Sequence, residues 1–184
     1  FHLSANADVK HGIENTNFDL EQGTIATLNV LEAMRQNEMN RIGFSSSSVI
    51  YGEAKKFPTP EDYGPLVPIS LYGASKLAAE AEICSFCGSF DFTAYIFRFA
   101  NIIGRHGTHG ILVDFLNKLR INPNELEVLG DGSQKKSYLL VDDCVDAMLY
   151  VIKHAKEKVN IYNLGGPDQI NVKRIADIFI ELTK

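Results

Sequence analysis

Tyr72 and Lys76 stand four positions apart in Leu71-Tyr72-Gly73-Ala74-Ser75-Lys76, ahead of the apolar, Ala-rich run Leu77-Ala78-Ala79-Glu80-Ala81. On a helix, positions i and i+4 lie one turn apart on the same face. A lysine ammonium beside a phenol favours the phenolate and lowers the Tyr pKa from its usual value of about 10. A Tyr tuned this way can take a proton from a sugar or alcohol hydroxyl and return it later. Tyr and Lys four apart recur on many helices, so the pair gains its meaning from its surroundings. Twenty-five positions before Tyr72, Ser47 lies in Ser45-Ser46-Ser47-Ser48, directly after Arg41-Ile42-Gly43-Phe44. Alone, a serine run is a loop that closes a strand. Beside that Tyr, a short donor and acceptor at a strand end can hold a reacting hydroxyl.

Other reactive side chains carry less. Cys84 and Cys87 form a single C-x-x-C within a helical stretch, with no second pair to complete a zinc site. His106 and His109 flank a Gly-rich loop with no third ligand in reach, so no metal is expected. A net charge of -5 without a Lys/Arg stripe argues against nucleic acid as a partner. No apolar run approaches the roughly 20 residues of a membrane span. Three cysteines, an odd number, point to a reducing, cytoplasmic setting and not to a disulfide scaffold.

The elements that must position Ser47, Tyr72 and Lys76 can be read in order. Asp19 to Glu38 has Ile25, Leu28, Leu31 and Met34 at spacings of three and predicts a helix. Arg41–Phe44 predicts a strand, and the prolines at 58, 60, 65 and 68 predict a loop from Tyr51 to Ser70. A helix from Tyr72 to about Cys87 follows, then a strand from Thr93 to Phe99 and a helix from Ile111 to Leu119. Leu126–Leu129 and Tyr138–Val141 predict short strands, Asp142–His154 a helix, Asn160–Leu164 a strand, and Val172–Leu182 a last helix. Strands alternating with amphipathic helices indicate a parallel sheet covered on both faces. Such sheets bind ligands beyond the carboxyl ends of their strands, where Ser4, Ser47 and Asn101 fall. Phe1-His2-Leu3-Ser4-Ala5-Asn6-Ala7 resembles the end of a buried strand, so the chain is expected to begin inside a domain.

Taken together, the motifs resemble the extended short-chain dehydrogenase/reductase family, closest to its UDP-glucose 4-epimerase branch. They are His2-Leu3-Ser4-Ala5, Phe44-Ser45-Ser46-Ser47 with Val49-Ile50-Tyr51-Gly52, and Tyr72-Gly73-Ala74-Ser75-Lys76. Further on come Arg98-Phe99-Ala100-Asn101, Gly130-Asp131-Gly132, Val141-Asp142-Asp143 and Tyr162-Asn163-Leu164-Gly165. The resemblance implies a Rossmann-type doubly wound α/β fold, with 1–104 a partial NAD-binding domain. Positions 105–184 would interleave a small, partly present substrate-binding region with returning Rossmann elements, all as one compact unit. It implies NAD as cofactor, with Leu3, Ser4, Ala5, Tyr72, Lys76 and Ala100 at its site. Tyr72 is then the acid/base, Lys76 the ribose ligand and Ser47 the partner of the sugar hydroxyl. Asn101 and Lys136 would meet the diphosphate or sugar, Val128 and Leu129 would pass the nucleotide base, and Asp143 would organise a helix start. A homodimer through the 19–38 and 72–87 helices, including Leu77, Ala78, Ala81 and Ile83, is also implied.

The sequence departs from that pattern in places. The Gly-rich phosphate loop and its N-terminal βαβ unit are not found in it. Gly23 replaces an Asn and Lys136 an Arg, which keeps the charge but loses the bidentate fork. Ser48 and Val49 stand where related dehydratases carry an Asp-Glu pair and decarboxylases a Glu. The expected reaction is therefore interconversion of UDP-glucose and UDP-galactose through a 4-keto intermediate. A UDP-N-acetylhexosamine or UDP-glucuronate epimerase, a 4-keto-sugar reductase and a non-catalytic dinucleotide-binding module stay open.

Overall fold

The computed structural model describes residues 1–6 and 11–183. Ala7, the last residue of the opening stretch, lies outside them. His2 bridges Phe44 in parallel at the start of the chain. Two short helices, α1 (His11–Glu14) and α2 (Thr16–Asp19), continue through a π-helical turn (Leu20–Ile25) into α3 (Ala26–Gln36). β1 (Arg41–Ser47), a 3-10 turn (Ser48–Tyr51) and an irregular loop lead to α4 (Leu71–Phe90). β2 (Thr93–Phe99), β3 (Asn101–Ile103), α5 (Ile111–Ile121), β4 (Lys135–Leu140) and α6 (Val141–His154) follow. β5 (Val159–Leu164), β6 (Gln169–Asn171) and α7 (Val172–Thr183) come last.

The chain divides into two compact units. Phe1–Phe99 with Ala147–Leu164 forms the first. Its sheet has the order β1-β2-β5 and is parallel throughout, with Ser47 opposite Phe99 and Phe99 opposite Leu164. Every residue from Ile42 to Ser46 and from Ala94 to Arg98 is buried, as a parallel strand covered on both faces requires. Ile42, Phe44 and Ile96 pack with Leu31 of α3 and with Ala79, Ile83 and Phe86 of α4. Gly43 points to the opposite face, where a Cβ would meet Phe1 and Ile152. The expected parallel α/β architecture is present.

α4 is set by its caps and its buried stripe. Ser70 Oγ accepts from Gly73 N at 3.0 Å, and Asp91 stops the helix in a left-handed conformation with φ of 60°. That stop places the end at Phe90 and not Cys87. Positions 76, 79, 80, 83, 86 and 87 are buried, the spacing of one helical face. Ile83 is fully buried in the chain's own core, so it has no surface to offer a partner.

Ala100–Asp146 and the chain from Gly165 on form the second unit. β3 pairs with β4 in parallel, and β4 pairs with β6 antiparallel. β3 and β6 are three residues each, too short to show a period in the sequence. The expected strand at Leu126–Leu129 is irregular instead. Its Leu126 and Val128 pack on Phe115, Ile175 and Ala176, so the apolar alternation there reflects contact with helices and not a ladder.

Candidate active site

Ser47, Tyr72 and Lys76 converge in the first unit, past the carboxyl end of β1. Ser47 ends the strand and its Oγ accepts from Val49 N at 3.4 Å, which starts the 3-10 turn. Tyr72 occupies the first turn of α4 and Lys76 the next. A Cβ on Gly73 would lie 3.2 Å from Val49 O, so glycine lets the turn and the helix approach closely.

The electrostatics differ from the simplest expectation. The half-buried Tyr72 phenol is pushed up from its ordinary value, chiefly by burial; a hydrogen bond with Ser47 pulls it down and the charge of Asp19 raises it further. Lys76 does not act on it as expected. Its Nζ lies 5.9 Å from the Tyr72 ring centre but donates to Ser45 O at 2.6 Å and sits 4.8 Å from the Phe44 ring centre. With 3% of its surface exposed, Lys76 is pushed down to about 8 by burial, against the opposing charge of Glu80. Sharing a helix face brought the two side chains together, but the β1 carbonyl took the ammonium.

His2 is buried against Phe44 and its Nε2 lies 3.0 Å from Thr27 Oγ1, with its pKa lowered by burial and then by Lys76. Leu3 and Ser4 are exposed and Ala5 is half-buried directly after it. Gly23 explains its own departure from the family pattern. A Cβ there would stand 2.6 Å from Ser75 Oγ, so α4 approaches the π turn too closely for any side chain. Thr24 Oγ1 donates to Ser75 O at 3.4 Å and Thr27 Oγ1 to Gly23 O at 2.6 Å, tying this contact.

Two further features of the first unit escaped sequence reasoning. Asp19 is 2% exposed and accepts from Asn6 Nδ2 at 2.9 Å. Glu80 and Arg98 form a buried ion pair at 2.8 Å, joined by Ser46 Oγ, which donates to Glu80 Oε1. The signal for Glu80 was its place four residues beyond Lys76 on the same face; for Asp19 there was none.

The remaining predicted site residues belong to the second unit. Asn101 Nδ2 donates to Ser137 O at 2.9 Å, holding β3 to β4. Ala100 is half-buried, and a Cβ on Gly165 would meet its Cβ at 3.0 Å. Lys136 is exposed in β4 opposite Ile170, Val128 is half-buried and Leu129 is 76% exposed. Among the described residues no three His, Cys, Asp or Glu side chains gather as metal ligands, and no helix is long and apolar enough to cross a membrane.

Residues 1–165 match the NAD dependent epimerase/dehydratase family, and the chain belongs to it. It is 28% identical to the UDP-glucose 4-epimerase of Corynebacterium glutamicum over 200 residues, covering 99% of this chain and 60% of that enzyme. A crystal structure of a UDP-galactose 4-epimerase shares 38% identity with a TM-score of 0.91, covering 99% of this chain and 61% of that one. MoeE5 in complex with UDP-glucose and NAD is 26% identical with a TM-score of 0.89, covering 100% and 61%. The chain thus spans about three fifths of each. NAD is the cofactor of this family, and the donors of the first unit suit it. A phenol, an ammonium and a hydroxyl meet beyond the carboxyl end of a parallel strand, where a ribose diol needs donors.

Proposed function

We propose that the protein is an NAD-dependent nucleotide-sugar 4-epimerase acting on UDP-glucose and UDP-galactose. The observation that carries this reading is the convergence of Ser47, Tyr72 and Lys76 at the end of β1, with Ser48 and Val49 beside them. A dehydratase or decarboxylase needs a further acid or base after the serine, and neither Ser48 nor Val49 can act as one.

NAD, when bound, accepts hydride from sugar C4 and returns it. The chain's part is orientation and proton transfer. Lys76, whose ammonium donates to Ser45 O, would hold the nicotinamide ribose. Ser47 holds the 4-hydroxyl, and Tyr72 Oη takes its proton and later returns it to O4 of the 4-keto sugar once the sugar has presented its other face. Leu3, Ser4, Ala5 and Ala100 line the cofactor by close approach. Asn101 and Lys136 meet the diphosphate or sugar, and Val128 and Leu129 pass the base.

Two further parts of the reading concern setting and assembly. Cys84, Cys87 and Cys144 are free thiols, which suits a cytoplasmic enzyme. A second copy docks on the 19–38 and α4 helices, where Leu20 and Ile25 are 49% and 43% exposed. Incubation with UDP-galactose and identification of the nucleotide-sugar product tests the reaction. UDP-glucose is expected, and a 4-keto-6-deoxy sugar would replace this reading.

A further inference from the structure

Ser47 and Tyr72 stand at the two ends of a connection that has no regular structure from Gly52 to Ser70. A proline-rich segment of that length does not by itself fix the distance between its ends. Yet reacting groups lose activity steeply when displaced by about 1 Å. Something in the fold must hold the connection.

A device among the described residues of the first unit reaches it from the core. Arg98 of β2 is 4% exposed, with Nε and Nη2 on the Glu80 carboxylate at 3.1 and 2.8 Å. Its remaining arm, Nη1, donates at 2.8 Å both to Tyr51 Oη and to Glu61 O. Tyr51, 5% exposed, donates a hydrogen bond to Asn163 Oδ1 at 2.8 Å, and its ring lies under the guanidinium. Asn163 of β5 then grips the loop twice more, donating from Nδ2 to Thr59 O and from N to Glu61 Oε1, each at 2.9 Å. The loop also closes on itself, since a Cβ on Gly52 would lie 1.9 Å from Val67 O. At the other end of the guanidinium, Glu80 holds Ser46, the residue before Ser47.

Every side-chain nitrogen and oxygen of Arg98, Glu80, Tyr51 and Asn163 has a hydrogen-bond partner, and the device ties β1, β2, β5, α4 and the loop together. We propose that Arg98 is a positioning residue: clamped on Glu80, it anchors the loop through Tyr51 and Glu61 and thereby sets the spacing of Ser47 and Tyr72. Arg98 and Tyr51 take no proton and touch no substrate in this scheme. The planar fork matters, because a lysine could pair with Glu80 but has no second arm for Tyr51 and Glu61. The activity part of the test rests on the epimerase reading; the spectroscopic part does not.

Tyr51→Phe removes one oxygen and keeps the ring and the ion pair, so the fold should persist. Arg98→Lys keeps the charge on Glu80 and serves as the second variant. In full-length protein labelled with 13C at tyrosine Cζ, the Tyr72 resonance, assigned by its loss in Tyr72→Phe, reports the Ser47 hydrogen bond at neutral pH. Both variants are expected to move it towards its position in Ser47→Ala and to speed amide exchange in residues 53–66 by about tenfold or more. With UDP-galactose, kcat should fall about tenfold while KM stays within about twofold. A Tyr72 resonance and loop exchange that match wild type overturn the inference, as does a loosened loop with kcat unchanged. Absence of epimerisation in wild type would refute the epimerase reading alone, since the Tyr72 resonance still decides the role of Arg98.

Discussion

Replacing Lys76 by methionine should stabilise the protein at neutral pH while abolishing activity. Lys76 is 3% exposed, and its pKa falls from 10.5 to about 8, chiefly through burial. A gap of about 2.5 between the two values corresponds to about 3 kcal/mol, at 1.36 kcal/mol for each tenfold. Because the group is a base whose folded value is depressed, the cost is fully present below pH 8, where folded and unfolded chains both carry the proton. Between 8 and 10.5 the unfolded chain holds one more proton than the folded one, so wild-type stability rises with pH across that window. Methionine fills a similar volume without charge, but it leaves Ser45 O without the donor now at 2.6 Å. That loss costs about 1–2 kcal/mol. The balance is a gain of about 1–2 kcal/mol at pH 7 that reverses by pH 10.5, where wild type has recovered its 3 kcal/mol. Urea unfolding of both proteins at pH 7, 8, 9 and 10, without added nucleotide, reads the difference directly. A difference that stays constant across the window, or a variant less stable at pH 7 by more than about 1 kcal/mol, would refute the reasoning. Retention of so unfavourable a lysine is expected where binding, and not stability, requires it.

Tyr72→Phe should lower turnover by about 10² or more while nucleotide binding persists, because the phenol is proposed to act as a proton carrier and not an anchor; kcat and calorimetric titration check the two halves, and near-normal turnover would remove Tyr72 from the chemistry. Gly23→Ala should cost about 1–3 kcal/mol, since its Cβ would stand 2.6 Å from Ser75 Oγ; an unchanged urea midpoint would contradict the close helix approach. Ile83→Ala removes a fully buried side chain and should cost about 2–5 kcal/mol. A loss below 1 kcal/mol would instead place Ile83 outside the core, back at a possible subunit contact. Light scattering at micromolar concentration should give the mass of two chains, and a monomer would count against the proposed dimer.

The large elements were legible because their signals are periodic. α3 and the turn before it show in Ile25, Leu28, Leu31 and Met34, α4 in the apolar, Ala-rich run after Tyr72, and β2 in a largely apolar stretch, whereas the left-handed stop at Asp91 was not legible. Ser47, Tyr72 and Lys76 could be grouped because strand ends in parallel sheets face one ligand edge. What stayed hidden depends on partners distant in sequence. Nothing local says that Lys76 will choose Ser45 O over the Tyr72 phenol, since that choice is made by the approach of β1. Gly23 stood out only as the replacement of an Asn until the position of Ser75 showed how little room a Cβ would have there. Leu126 and Val128 alternate as in a strand, yet their partners are helices. Glu80 and Arg98 are eighteen residues apart, and nothing local in either segment pairs them, although the fold buries them against each other.

Tyr72, Ser47 and Lys76 are proposed to carry a redox-neutral inversion at sugar C4. Incubating the full-length protein with UDP-galactose and a catalytic trace of NAD, and following the anomeric proton signals by NMR with nicotinamide absorbance in parallel, tests it most directly. UDP-glucose is expected to accumulate to equilibrium with many turnovers per NAD and no net reduced nicotinamide. Stoichiometric change of the nicotinamide, or NAD binding with UDP-galactose left intact, would contradict it.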